Sequence, residues 1–180
     1  MSELAAGTLA RAALLVLTLH TVGQPLWEVA PAAKTWRQPV PQRVSLNERP
    51  DTAEHFLVSA ALAAYADTQV ADVLGIYKEL SDARGGSGFS FNDLAADRAG
   101  TRFGERAVAQ RTAQPHQQRL ARGVTESDLL PAIADLPEDM QEAEFMRRFG
   151  GINGEPYRRL TADIERRLDA LPLLAQPRGG

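Results

Sequence analysis

Cysteine is absent from these 180 residues, lysine occurs only at Lys34 and Lys78, and aromatic residues make up 6%. Without cysteine there is no disulfide framework, thiolate metal site, cysteine nucleophile or acylated lipoprotein terminus. The formal net charge of -3 removes the electrostatic footprint of a nucleic-acid partner. No uncharged apolar run reaches the roughly 20 residues that a bilayer-spanning helix needs. Neither an alternating strand pattern nor an internal repeat appears. The phosphate-binding pattern Gly-x-x-x-x-Gly-Lys-Ser/Thr and the serine-nucleophile pattern Gly-x-Ser-x-Gly are both missing.

What is present is rich in alanine and leucine, with 44% hydrophobic residues, a helix-leaning globular composition. Residues 1–33 form a signal-peptide-like or anchoring hydrophobic segment. Arg11 precedes the apolar core Ala12–Leu19, and the small residues Ala30, Ala32 and Ala33 follow, in the order of a secretory signal. The competing reading is an ordinary buried first helix. Residues 34–50 contain Pro39, Pro41 and Pro50 and read as an extended connector. Trp27 and Trp36 lie at this junction, suited to packing on the domain or to a membrane interface.

The expected core helical domain covers 51–110. Asp51 followed by Glu54 is a variant capping box opening a helix from Thr52 to Ala66. Ser59, Ala60, Ala63 and Ala64 let a neighbouring helix approach closely. Asp67-Thr68 caps a second helix ending before Gly85-Gly86, with Gly75 inside it. Ser90 caps a third, with Asp93 at its third position, running to about Gln110. Residues 111–124, with Pro115 and His116, read as a polar loop. Residues 125–180 supply C-terminal helices that pack on the core: Thr125 to about Ala134, Pro137 to Phe149, and a last one capped by Asn153 with Leu160, Ile164, Leu168 and Leu171 at helical spacing. The expected fold is all-α, a compact helical bundle.

The order His55-Phe56, Lys78-Glu79-x-x-Asp82, then Gly86-x-Gly88-Phe89-Ser90-x-x-Asp93-Leu94-x-x-Asp97-x-x-Gly100 resembles the YfiM-like family of bacterial envelope proteins and, more distantly, the VanZ-like group. The resemblance covers about 55 residues, from Asp51 to Glu105. It implies an envelope setting and a compact helical core, and carries no catalytic assignment. The chain departs from YfiM-like lipoproteins in lacking the N-terminal cysteine. It departs from VanZ-like proteins in lacking several long apolar spans.

Four residues are candidates for chemistry: His55, Glu79, Asp93 and Asp97. Asp93 and Asp97 are four apart, so their carboxylates share a helix face. With Glu79 and His55 they would make an oxygen-rich site for Mg²⁺, Mn²⁺ or Ca²⁺ that activates water. A single imidazole without thiolate argues against zinc. As a base, His55 needs a carboxylate to orient its ring, for which Asp82, Asp93 or Asp97 are available. The structural alternative makes Lys78, Asp82, Arg98 and Arg102 a polar network. Asp93 then answers the helix dipole, and Asp97 pairs with Arg98, Arg102 or Lys78. The turn Gly85–Gly88 is explained by a tight connection between helices. Phe145, Met146 and Phe149 form an apolar stripe for core packing.

The reading that follows is a non-enzymatic helical protein of the bacterial envelope, in the periplasm or anchored facing it, with no cofactor. A metal-dependent hydrolase of a phosphorylated envelope or lipid-linked substrate is the alternative, as is a cytoplasmic location. The sequence names no partner beyond possible membrane or envelope association.

Overall fold

The computed structural model describes residues 3–66 and 88–175. They are all-α. Seven α-helices follow in order: α1 (Glu3–Thr21), α2 (Pro50–Ala64), α3 (Phe91–Val108), α4 (Ala113–Ala121), α5 (Glu126–Leu129), α6 (Glu142–Phe149) and α7 (Glu155–Asp169), with 3₁₀ turns at Leu26–Glu28 and Pro31–Thr35. Extended pairing among the described residues is limited to two isolated bridges, Leu46–Arg49 and Phe89–Met140. The helix expected between Thr68 and Arg84, with Lys78, Glu79 and Asp82, lies outside the described residues.

α3 is the hub, and its sequence explains why. Residues four apart on a helix stack on one side, and α3 carries a separate repeat for each neighbour. Ala95 and Ala99 are fully buried and continue from Phe91 into the main core. Gly100 and Gly104 face α2 at backbone distance: a Cβ added at Gly100 would overlap the Phe56 carbonyl oxygen, and one at Gly104 the Ala60 carbonyl oxygen. Arg98, Arg102 and Arg106 face the C-terminal segment. Arg98 pairs with Glu165, Arg102 with Glu165 and with Asp169 at 2.6 Å, and Arg106 donates to the Ala175 carbonyl at 2.6 Å. Small residues on α2 were expected to admit a close neighbour; among the described residues α3 approaches it at backbone distance.

The main core is aromatic. Phe89 stacks on Phe145 at 4.2 Å, Phe91 lies 4.8 Å from Phe149, and Tyr157 closes the cluster against Phe91 at 5.7 Å. A buried ring of this kind stabilises by about 1.5–3 kcal/mol. Phe145 and Phe149 are buried as their spacing predicts, whereas Met146 faces solvent. A smaller core of Leu14, Ala60, Ala64 and Ala107 joins α1 to α2 and α3. Three side chains fasten α1 there: Thr18 donates to the Leu57 carbonyl at 2.9 Å, Arg11 to the Ala64 carbonyl at 2.9 Å, and Gln117 to the Ala6 carbonyl at 2.6 Å. Arg11 thereby meets the negative end of the α2 dipole. No helix among the described residues is long and apolar enough to cross a membrane.

Several boundaries differ from expectation. α2 starts at Pro50, not after an Asp51 cap, because proline is pre-set for the first helical position. Asp51 instead sits in the first turn and pairs with Arg49 at 2.6 Å. The expected polar loop 111–124 holds α4, with Pro115 early enough that its missing N–H breaks no helical bond. The helix from Thr125 stops at Leu129. The segment from Pro137 joins a helix only at Glu142, because its backbone is used elsewhere: Phe91 N–H donates to the Pro137 carbonyl at 2.9 Å, and Phe89 and Met140 exchange bonds of 2.7 and 3.0 Å. Gly154, not Asn153, occupies the cap position of α7, where a Cβ would overlap the Phe149 carbonyl. The Ser90 cap of α3 stands as read, accepting from Asp93 N–H at 3.2 Å.

Because the obstruction at Gly104 is backbone, a methyl group there cannot be absorbed by a rotamer change. Gly104→Ala is expected to lower stability by at least about 1–3 kcal/mol, the usual cost of overpacking, despite alanine's better helix propensity. Chemical denaturation followed by circular dichroism measures it. A neutral or stabilised variant would contradict the close crossing.

Candidate functional site

The α2–α3 crossing puts two pairs of polar residues face to face. His55 and Ser59 are one turn apart on α2, and Asp93 and Asp97 one turn apart on α3. His55 Nδ1 lies 3.2 Å from Asp97 Oδ1, and Ser59 Oγ donates to the same oxygen at 2.7 Å. His55 Nε2 lies 3.7 Å from Asp93 Oδ2. The side chains of His55, Asp93 and Asp97 are 27%, 25% and 24% exposed, so solvent reaches one edge of the cluster. A carboxylate only accepts hydrogen bonds. With Asp97 ionised, the imidazole therefore donates through Nδ1 and presents Nε2 to Asp93.

Asp93 has opposing influences. Burial pushes its carboxyl above the usual carboxylate range, while the His55 charge and the Ser90 hydrogen bond pull it down. Its contact with the imidazole, at 3.7 Å, is electrostatic and longer than a hydrogen bond. An orienting carboxylate, an imidazole and a second carboxyl raised by burial make an acid–base arrangement.

Three of the four candidate residues therefore come together: His55, Asp93 and Asp97. Glu79 lies outside the described residues, as do Lys78 and Asp82. Arg98 and Arg102 do not take the place expected for them beside Asp97. Their guanidinium bonds run to Glu165 and Asp169 on α7, because residues 98 and 102 occupy a different side of α3 from residue 97. Among the described residues, no group of three His, Asp or Glu side chains is arranged to hold a metal ion. Ser59 was read only as a small packing residue; the signal for its role is its four-residue offset from His55, matching that between Asp93 and Asp97.

A second polar position went unrecognised in the sequence. His116 on α4 is 4% exposed, lies edge-on to Phe103 at 4.6 Å, and its Nε2 is buried without a hydrogen-bond partner among the described residues. Arg106 Nε is likewise buried without a partner among the described residues. Burial, reinforced by the Arg106 charge, depresses the His116 pKa to about 4. The ring is neutral at pH 7 and acts as a core side chain.

Comparison with protein-family models, with curated proteins and with solved structures gives no match.

The depressed histidine carries a pH signature. Between the ordinary value near 6.5 and about 4, the unfolded chain binds the His116 proton and the folded chain does not. Stability is therefore complete above about pH 6.5 and falls as pH drops towards 4, by about 3 kcal/mol from this group. Melting curves of the parent and His116→Gln between pH 4 and 7 measure the contribution. The variant is expected to lose most of that slope, and an identical slope in both would contradict the assignment.

Proposed function

We propose that this chain is a non-enzymatic, all-α protein of the bacterial envelope with a structural or interaction role, periplasmic or anchored facing the periplasm. The observation that carries the reading is where the polar side chains of its central segment are used. Ser59 and His55 join Asp97 across α2 and α3, and Arg98 and Arg102 join Glu165 and Asp169 across α3 and α7. These bonds connect helices. The envelope setting draws on the order of motif residues that resembles YfiM-like proteins. The way α1 supplies Ala6, Leu14, Thr18 and Leu19 to the interior supports retention of the first segment as part of the domain, over its cleavage after Ala32.

The His55 cluster favours a second reading, a metal-dependent hydrolase of a phosphorylated envelope or lipid-linked substrate. Its specific support is the pair of carboxyls within 3.2 and 3.7 Å of one imidazole. The chemistry would be water activated by Mg²⁺, Mn²⁺ or Ca²⁺ on oxygen ligands.

One substitution separates the two. Asp97→Ala deletes the acceptor shared by Ser59 and His55. Hydrogen bonds to charged groups contribute about 1.5–3 kcal/mol, so under the structural reading the melting temperature in chelator falls by roughly 3–10 °C for a chain this long. Under the metal reading, removing one of two neighbouring carboxylates leaves the metal-free protein equally or more stable. Calorimetry with each of the three cations on parent and variant completes the comparison: saturable binding lost in Asp97→Ala supports the hydrolase. Fractionation of cells expressing a tagged chain tests the location, and an exclusively cytosolic product would contradict it.

A further inference from the structure

α1 is apolar nearly all round, yet only one side of it is buried. Ala6, Leu14, Thr18 and Leu19 face the interior. On the outside Leu9, Ala12, Ala13, Val16 and Leu17 are exposed, at i, i+3, i+4, i+7 and i+8. That spacing is the apolar stripe of an amphipathic helix, pointing away from the core. Leu9 is 55% exposed and Leu17 49%. Together with Phe103 and Leu120 they border a groove of about 330 Å³ between α1, α3 and α4.

The stripe does not end with the helix. Val16 shares a smaller hollow with Trp36 and Arg37, where the connector folds back against the end of α1. Trp36 is 59% exposed, Trp27 38% and Val40 69%. Six of the large apolar residues that stand exposed in the described chain, Leu9, Val16, Leu17, Trp27, Trp36 and Val40, thus fall within 32 positions of sequence.

The charge on this part of the molecule differs in sign from the rest. Residues 1–46 contain Arg11, Lys34, Arg37 and Arg43 against Glu3 and Glu28, a balance of +2. The whole chain carries -3, which leaves -5 on the remaining residues. Lys34, Arg37 and Arg43 are exposed and flank Trp36 and Val40.

We propose that the outer face of α1, continued by Trp27, Trp36 and Val40, docks onto the surface of an anionic lipid bilayer. Such a helix lies in the interface with its apolar side in the acyl boundary and its cationic groups at the headgroups. Tryptophan suits that depth because its ring is apolar and its N–H polar. Exposed lysine and arginine meet the negative headgroups. This deepens the envelope reading above by naming the surface involved, and it rests on that reading for its cellular setting.

The two tryptophans are the only ones in the chain, so intrinsic fluorescence reports on this face alone. The full chain is titrated with vesicles of phosphatidylglycerol and phosphatidylcholine, and in parallel with phosphatidylcholine alone. Emission is expected to shift to the blue with the anionic vesicles, and the protein to sediment with them at least about tenfold more strongly than with neutral ones. Leu9→Ser combined with Leu17→Ser, and separately Lys34→Gln combined with Arg37→Gln, should each weaken binding at least about fivefold with helicity unchanged. Absence of co-sedimentation at low salt overturns the proposal. So does binding that neither double variant affects. A lipid-free doubling of mass that already shields both tryptophans also overturns it, since a second copy would then cover the face. Failure on vesicles by a chain that fractionates with the envelope removes this inference alone. Vesicle binding by a chain confined to the cytosol removes the envelope reading instead.

Discussion

The backbone contact between α2 and α3 is the constraint on which the remaining structure depends. Gly100 and Gly104 have no Cβ, and the carbonyl oxygens of Phe56 and Ala60 occupy the space a Cβ would need. Helices normally pack with axes 8–10 Å apart, the distance set by the side chains at the contact. Removing those side chains on one helix shortens the distance and fixes the register. A short polar side chain on α2 can then reach a short one on α3. Ser59 and Asp97 meet at 2.7 Å for this reason.

Once that register is set, the other sides of α3 are determined by its four-residue repeats. Phe91, Ala95 and Ala99 turn into the aromatic core, while Arg98, Arg102 and Arg106 turn to the C-terminal segment. Arg102 is the most buried of these cations, with a side chain 8% exposed, and it has two carboxylates and the Leu174 carbonyl to satisfy it. Its desolvation is costly, so removing one of its partners would leave an uncompensated buried charge between α3 and the C-terminal segment. Polar groups are thus spent on positioning helices whose apolar residues supply most of the stabilisation.

The sequence made some of this plain and concealed the rest for physical reasons. The all-α class follows from composition and helical spacing, and the Ser90 cap was visible because a side-chain acceptor three residues before Asp93 is a local signal. α4 was hidden because Pro115 usually interrupts a helix, and only its position within the first turn makes it harmless. The segment from Pro137 to Gln141 was mistaken for helix because its periodicity is helical, while a tertiary contact with Phe89 and Phe91 takes its backbone bonds. The shared face of Asp93 and Asp97 was legible from their four-residue spacing, and His55 was joined to them as a candidate from a neighbouring helix. The partners of Arg98 and Arg102 were not, because Glu165 and Asp169 lie more than 60 residues away in sequence.

Native-state hydrogen exchange of the backbone amides tests the central role of the α2–α3 contact most directly. If the two helices form one packed unit, their interior amides share the highest protection in the molecule and open with the same denaturant dependence. α1, α4 and α7, which are fastened to that unit, are expected to open at lower free energy. Exchange in which α2 opens together with α1 while α3 remains protected would contradict the account.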